Sequence, residues 1–182
     1  MSGARLRQAL KRLALDAIRW VPLPWRLKWL ALWLASPKML VAGMAVIPDA
    51  TGRVLMLRSR YADLWQFPGG TINAGEDVLS GTLRECREEI GVAVQVERLT
   101  GIYTMRGAAD LFIAFRCAPL AAPPRLSVEH TAWRYLDPAA APRTARAIIA
   151  DALREPAALR IAALTTDHEQ RRLRAKRGAV GK

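Results

Sequence analysis

The first 38 residues have the hydrophobic spacing of two helices. Between residues 4 and 20, apolar side chains recur at helical intervals, at Leu6, Leu10, Leu13 and Ala17. Pro22 and Pro24 interrupt this pattern, because proline breaks a helix interior. A second, strongly apolar helix is predicted for residues 25–35, with a tryptophan at every fourth position and its end before Pro37.

From residue 39 the pattern changes to that of strands. Residues 39–47 form an apolar run typical of a buried strand. Turn-forming residues follow at 48–52, so residues 53–58 are predicted to return as the second strand of a hairpin. A short strand is predicted at 65–67, and Pro-Gly-Gly at 68–70 predicts an irregular bend where backbone groups approach a ligand.

The next segment predicts an amphipathic helix with a signal at each end. Asp77 is a favoured N-cap residue, and Gly91 is a favoured C-terminal glycine. The predicted core-facing residues are Leu79, Leu83, Cys86 and Ile90. Gly81 inside the helix costs about 1 kcal/mol relative to alanine, which predicts close packing against the backbone of another element.

The remainder of the middle segment predicts three strands and a helix. One or two strands fall within 92–105, with Gly101 as a bulge or bend, and further strands at 110–117 and 131–136. An amphipathic helix follows at 143–154. The order of elements predicts an α+β fold with an α/β/α layer arrangement, in which helices cover a mixed sheet.

The charge distribution divides the chain into three parts. The formal net charge is +12, yet residues 39–157 contain thirteen basic and thirteen acidic residues. Residues 1–38 have eight basic residues and one acidic residue, and residues 158–182 have seven and two. We therefore predict a neutral domain at 39–157, a basic, Trp-rich helical extension at 1–38 and a basic, partly disordered tail at 158–182. Two cysteines argue against a disulfide framework and favour a reducing cytoplasm.

The helical extension has several interpretations. Prolines and basic residues interrupt its apolar runs, which argues against a signal peptide, and no uncharged stretch reaches the length of a membrane span. Residues 4–35 match a basic helical segment that lies on an anionic membrane surface, with Trp and Leu on one side. Packing of the same helices on the domain, or on a second subunit of a homodimer, is the alternative.

Acidic residues are concentrated in the predicted helix at 77–91. Glu88 and Glu89 lie three and four positions after Glu85, so the three are expected to project together. Arg84 offsets their repulsion, and Glu76 precedes the helix. Oxygen-only ligands select hard cations, so this cluster predicts a Mg²⁺ or Mn²⁺ site that would act on phosphate oxygens.

The segment 70–92 resembles the signature of the Nudix hydrolase family (MutT-like nucleoside diphosphate-X hydrolases). That signature is Gly, five residues, Glu, seven residues, Arg-Glu, an apolar residue, any residue, Glu-Glu, any residue, Gly and an apolar residue. The matching positions are Gly70, Glu76, Arg84, Glu85, Glu88, Glu89, Gly91 and Val92. Cys86 replaces the usual aliphatic residue, where a cysteine serves as a small hydrophobe.

The resemblance implies a Nudix α/β/α sandwich and a hydrolase. Its reaction would be Mg²⁺-dependent cleavage of a diphosphate bond, by metal-activated water, in a nucleoside diphosphate linked to another moiety. Glu85, Glu89 and the carbonyl of Gly69 would hold the metal. Glu88 would act either as a further metal ligand or as the base that activates the water. Glu76 and Arg84 would mainly join the loop and the helix. The alternative is a catalytically weak domain that senses a nucleotide or docks to a membrane or partner.

The substrate is less defined by the sequence. Substrate-binding candidates outside the signature are Arg58, Tyr61, Trp65, Tyr103, Arg106 and the loop acid Glu129. The lead-in at 64–70 resembles members of the family that take nucleoside triphosphates, including oxidised ones, with sugar nucleotides and dinucleotides as further options. No specific nucleic-acid partner is predicted, because the N-terminal tryptophans follow a helical strip and do not form a stacking platform on a sheet. The expected location is the cytoplasm, peripheral to the inner face of the membrane if the extension binds lipid.

Overall fold

The structure is a computed structural model that describes residues 24–106, 108–155 and 159–164, together with positions 8, 9, 12, 13 and 16. Its helices are α1 (Trp25–Ala35), α2 (Val78–Ile90) and α3 (Arg143–Leu153). Its strands are β1 (Leu40–Val46), β2 (Val54–Ser59), β3 (Trp65–Gln66), β4 (Gly69–Thr71), β5 (Val96–Met105), β6 (Asp110–Cys117), β7 (His130–Leu136) and β8 (Arg160–Leu164).

The chain separates into two compact units, residues 1–38 and 39–182. In the first unit, α1 has the predicted bounds, whereas most of the helix predicted over 4–20 lies outside the described residues. The large apolar side chains of α1 are not confined to one side: Leu27 and Leu34 project opposite the tryptophan row, and no residue of α1 is buried. Within the described ranges, no helix is long and apolar enough to cross a membrane.

The second unit contains two sheets. The larger one has five strands in the order β4-β1-β6-β5-β8, and it is mixed because β1 runs parallel to β6 and β5 runs parallel to β8. The smaller one is antiparallel, in the order β3-β2-β7. Strand β8 was not predicted; Arg160–Leu164 lies in the segment assigned to the tail and pairs with β5 instead.

The predicted hairpin between the first two strands is wrong. Although β1 and β2 follow each other closely, β1 pairs with β4 and β6, while β2 pairs with β3 and β7. Between the two segments there remain one isolated bridge, Pro48 to Val54, and a hydrogen bond from Leu55 N to Ile47 O. Both edges of β1 are therefore occupied by strands distant in sequence, which a local pattern does not reveal.

Two hydrophobic clusters explain the layered arrangement. Alternate residues of the central strands point to opposite faces: Val46 joins the cluster under α3, whereas Ala45 and Ile47 join the cluster under α2. In β2, Val54 and Met56 face α3, and the neighbouring leucines face α2. Both faces of these strands are buried, which the continuous apolar run at 39–47 predicted for β1, and the result is the expected α/β/α sandwich.

Helix α2 begins and ends as predicted, and Cys86 and Ile90 are buried as predicted, but the rest of its buried face differs. The Asp77 carboxylate accepts a hydrogen bond from Ser80 N at 2.9 Å, and Gly91 adopts a left-handed φ of 63°. Leu79, predicted to face the core, is 41% exposed, whereas Thr82 and Glu89 are buried. Gly81 does not pack against backbone: a Cβ there would lie 2.7 Å from the Ile72 side chain.

Close approach of α2 to the sheet occurs at Gly43 on β1. A Cβ at this position would collide with the hydroxyl group of Thr82 and would lie 2.9 Å from the Thr82 Cβ. We expect Gly43→Ala to lower the free energy of unfolding by about 1–3 kcal/mol, because overpacking must push the helix outward. Urea denaturation measures the loss, and the additional change Thr82→Ala is expected to restore part of it. A Gly43→Ala protein as stable as the parent would contradict the close approach.

Candidate active site

The acidic segment of α2 is organised around Arg84. Its guanidinium donates to both oxygens of Glu76 at 2.9 Å each, to Glu85 Oε1 at 2.8 Å and to Glu88 Oε2 at 3.3 Å. A further hydrogen bond reaches Thr71 O at 3.1 Å. The bond from Arg84 is the main reason that the pKa of Glu76 is lowered, and the same bonds raise the pKa of Arg84. Arg84 thus joins α2 to the loop after β4.

Glu89 lies apart from this network, on the buried side of α2. It is 6% exposed, and its Oε2 accepts a hydrogen bond from Gly69 N at 2.7 Å. Burial raises the pKa of Glu89 to about 8, and the charges of Glu85, Glu129 and Glu88 act in the same direction. The three glutamates therefore do not project as one group: Glu85 and Glu88 contact Arg84, while Glu89 turns toward β4.

A buried histidine accompanies Glu89, and the sequence analysis missed it. His130 Nε2 lies 3.4 Å from Glu89 Oε1 and 3.2 Å from Gln66 Nε2. Burial lowers the pKa of His130, and its Nδ1 is a buried atom without a hydrogen-bond partner among the described residues. The available signal was its position next to a predicted strand. The segment before this strand is bound to the end of α2 by hydrogen bonds from Arg125 N to Ile90 O and from Ser127 N to Glu89 O.

Two glycines allow the backbone to approach the acids. Gly69 has a φ of +133°, a conformation that side chains rarely permit, and a Cβ there would collide with the carbonyl of Gly43. A Cβ on Gly70 would lie 2.5 Å from Glu85 Oε2. The predicted bend is therefore a short strand, β4, paired with β1, and the contact it makes with Glu89 is the amide N–H of Gly69.

The donor set fits a hard divalent cation. It consists of carboxylate oxygens, and buried Glu89 is surrounded by further acids that raise its pKa, so a cation would offset charge that the protein leaves uncompensated. In the described part of the chain, no three acidic, histidine or cysteine side chains converge on one point. Arg84 holds two of the glutamates, and Gly69 and His130 hold the third, so cation binding requires these side chains to change partners.

A pocket opens beside the two glycines. Its volume is about 280 Å³, at the lower end for ligand sites. No Asp, Glu, Lys, Arg or His is among its lining residues, which are Ala42, Gly43, Met44, Met56, Tyr61, Trp65, Gln66, Phe67, Gly69, Gly70, Thr71, Met105, Phe112, Thr144, Ala145, Ile148 and Leu164. An apolar, uncharged cavity thus adjoins a strongly acidic helix.

Of the residues predicted to bind substrate, two line this pocket and the others do not. Trp65 and Tyr61 line the pocket, Tyr61 as a strongly exposed residue. Arg58 and Arg106 do not line it, and the Arg58 side chain binds Asp63 with 2.6 and 2.9 Å hydrogen bonds. Tyr103 is fully buried and donates to Asp151 at 3.0 Å, so it supports α3. Glu129 is exposed, near enough to Glu89 to raise its pKa.

Fold and site together define an α/β/α sandwich with an acidic, arginine-linked helix next to a backbone of glycines. A sequence model of the NUDIX domain matches residues 37–155, and the chain belongs to the Nudix family. It is 38% identical over 98 residues to a "MutT-like protein" of Streptomyces ambofaciens, covering 54% of this chain and 62% of that protein. It is 35% identical over 88 residues to "Nucleoside diphosphate-linked moiety X motif 6" of Xenopus laevis, covering 44% and 40%. The matches thus span less than two thirds of either relative.

Solved structures share the fold. A NUDIX hydrolase from Nitrosomonas europaea superposes with a TM-score of 0.60 and 17% identity, over 72% of this chain and 81% of that one. A MutT NUDIX hydrolase from Burkholderia pseudomallei gives a TM-score of 0.57 and 22% identity, over 65% and 100%. At these identities the similarity establishes the architecture alone.

Proposed function

We propose that this protein hydrolyses a diphosphate bond in a nucleoside diphosphate linked to another moiety, with Mg²⁺ or Mn²⁺ as cofactor. One observation carries the proposal: Arg84 orders Glu76, Glu85 and Glu88, and buried Glu89 lies beside them, where the glycine backbone borders an uncharged pocket. The name of the Streptomyces relative, a MutT-like protein, supports the same reaction class.

Each residue of the site has a distinct proposed role. Glu85, Glu88 and Glu89 hold the cation, with the Gly69 backbone as a neighbouring contact. A cation held there would supply positive charge to the diphosphate oxygens and would make a bound water more acidic. We assign to Glu88, the most exposed of the three, the role of accepting a proton from water. Arg84 and Glu76 fix the loop and α2 in the geometry that the reaction needs.

The pocket supports a substrate group that is planar and uncharged. Its walls are mainly methionine, aromatic and alanine side chains, which accept a nucleobase by stacking and burial. Thr71 and Thr144 are polar side chains of the wall that could form hydrogen bonds to base edges, whereas the amide of Gln66 already contacts His130. We therefore propose nucleoside triphosphates, oxidised ones included, as the substrates, with the base in this pocket.

The test is turnover of a nucleotide panel. Purified full-length protein is incubated with ordinary and oxidised nucleoside triphosphates, ADP-ribose, sugar nucleotides and dinucleoside polyphosphates, with Mg²⁺, Mn²⁺ or EDTA. Released phosphate, pyrophosphate and nucleotide are quantified. We expect metal-dependent release that Glu89→Gln removes and Glu97→Gln, a change outside the site, retains. Equal silence of parent and Glu89→Gln across the panel would reject the enzymatic function.

A second candidate is a nucleotide sensor with weak turnover, or a docking module. It is favoured by the lack of a convergent set of metal-binding side chains in the described part of the chain. Nucleotide-dependent thermal stabilisation without product release would select it over the hydrolase. In either case we propose a cytoplasmic location.

A further inference from the structure

Helix α1 exposes an unusual amount of apolar surface. Seven large side chains of this 11-residue helix are 42–70% exposed: Trp25, Leu27, Trp29, Leu30, Leu32, Trp33 and Leu34. The tryptophans form one row, Leu27 and Leu34 project on the opposite side, and Lys28, Ala31 and Ala35 share the narrow strip between them. A helix that is apolar around most of its circumference is typical of an apolar surrounding, not of water.

The charges that flank α1 have a single sign. Arg26, Lys28 and Lys38 lie within or beside the helix, and no acidic residue occurs between Asp16 and Asp49. The unit of residues 1–38 as a whole contains eight basic residues and one acid. This combination of tryptophan, leucine and an excess of basic over acidic residues is complementary to an anionic lipid surface.

Two carbonyls in the last turn of α1, those of Leu32 and Trp33, accept hydrogen bonds from residues just after the helix. Ser36 Oγ donates to Leu32 O at 2.7 Å, and Lys38 Nζ donates to Trp33 O and, at 2.6 Å, to Ser36 O. The ammonium also lies 4.5 Å from the centroid of the Trp33 ring. Carbonyls that would otherwise lose water on entering a lipid interface keep their partners, which lowers the cost of inserting this end.

The length of α1 limits how it meets a bilayer. Eleven residues extend about 16 Å, roughly half of the 30 Å hydrocarbon core. The helix reaches the headgroup and outer acyl region of one leaflet and does not cross the membrane. Tryptophan prefers this interfacial depth, and the basic side chains remain at the level of the headgroups.

We propose that α1, with Arg26, Lys28 and Lys38, is a binding site for anionic lipid surfaces, a property separate from hydrolysis. A protein groove is the less suitable occupant, because it would cover one side of α1 and leave the opposite apolar side in water. The site would hold the catalytic domain at a membrane surface through an interfacial helix.

Vesicle binding of the full-length protein tests the proposal. Binding is measured by co-sedimentation with phosphatidylcholine vesicles and with vesicles containing phosphatidylglycerol as well. We expect at least tenfold tighter binding to the anionic vesicles, and weakening with salt. Trp29→Ala/Trp33→Ala is expected to reduce that binding at least tenfold while preserving the helix, since alanine is the best helix former. The matched control Val128→Ala/Ile161→Ala removes exposed apolar groups from the other unit and should leave binding unchanged.

A further double variant separates the contribution of charge to vesicle binding from that of apolar burial. Arg26→Gln/Lys28→Gln is expected to remove most of the preference for anionic vesicles and to leave the weak binding to neutral vesicles unchanged. Parent protein that binds neither vesicle overturns the proposal, and so does Trp29→Ala/Trp33→Ala protein that binds as well as the parent. A parent dimer that dissociates in this variant, without vesicle binding by either, identifies a second copy as the occupant instead. Nucleotide turnover is not a readout here, so failure of the hydrolase proposal leaves this test intact.

Discussion

Glu89→Gln is expected to reduce hydrolysis by about 10²–10⁴-fold and, at the same time, to stabilise the metal-free fold. Activity falls because glutamine cannot provide the anionic oxygen that our proposal assigns to the cation. Stability rises because the parent carboxyl is buried next to Glu85, Glu88 and Glu129, and its charged form is disfavoured. An amide of the same shape still accepts the hydrogen bond of Gly69 N–H.

The stability gain has a defined pH window. The pKa of Glu89 is about 8 in the folded protein and 4.5 in its ordinary state, so between these values the folded chain holds a proton that the unfolded chain has released. Parent stability therefore declines as pH rises through this window, and the variant lacks the decline. The pKa difference sets a ceiling near 5 kcal/mol, which water penetration reduces to about 1–3 kcal/mol. His130 on β7 and the Gly69 amide on β4 face the same carboxyl and are unchanged.

Urea denaturation in EDTA at pH 5, 7 and 9 measures this effect. Parent and Glu89→Gln should be nearly equal at pH 5, with the variant most favoured at pH 9. Glu88→Gln is the matched control, because its side chain is 60% exposed and no stability gain is expected. Added Mg²⁺ should stabilise the parent more than Glu89→Gln at pH 9. A variant less stable than the parent at every pH would contradict the uncompensated burial of Glu89.

Arg84→Ala is expected to lower kcat/KM by about 10²-fold through loss of positioning. The change removes five hydrogen bonds, to Glu76, Glu85, Glu88 and Thr71 O. The three glutamates then lose the guanidinium group that they share. The loop after β4 then loses its main attachment to α2. Arg84→Lys keeps the charge but not the planar fork that binds both oxygens of Glu76, so it should recover only part of the activity.

Steady-state kinetics and limited proteolysis of the loop at 71–76 measure the two consequences. The control is Arg87→Ala, an exposed arginine one turn along the same helix, for which near-parental kinetics and proteolysis are expected. Restoration of activity by added guanidinium ion in Arg84→Ala would strengthen the positioning role. Full activity of Arg84→Ala, with the loop as resistant as in the parent, would refute that role.

Local features were predictable where neighbouring residues decide them. Asp77 and Gly91 delimit α2 because capping depends on a few adjacent residues, and the spacing of the acids identified the family. The continuous apolar run at 39–47 likewise predicted a buried strand, because successive side chains of a strand point to opposite faces and all of them were apolar or small. The neutral middle segment and the basic ends of the chain followed from a count of its charged residues.

Which strands pair, and which side chains meet across the fold, became known only from the tertiary structure. The sequence placed β1 and β2 in one hairpin, but strands distant in the chain occupy the edges of β1, and no local signal encodes that pairing. It also placed Leu79 in the core and grouped three glutamates on one face. Because β4 presents the Gly69 amide and β7 presents His130, the helix instead turns Glu89 inward and leaves Leu79 in solvent. The sequence thus determined which chemical groups the site contains, while long-range packing decided which of them is buried and what each one contacts.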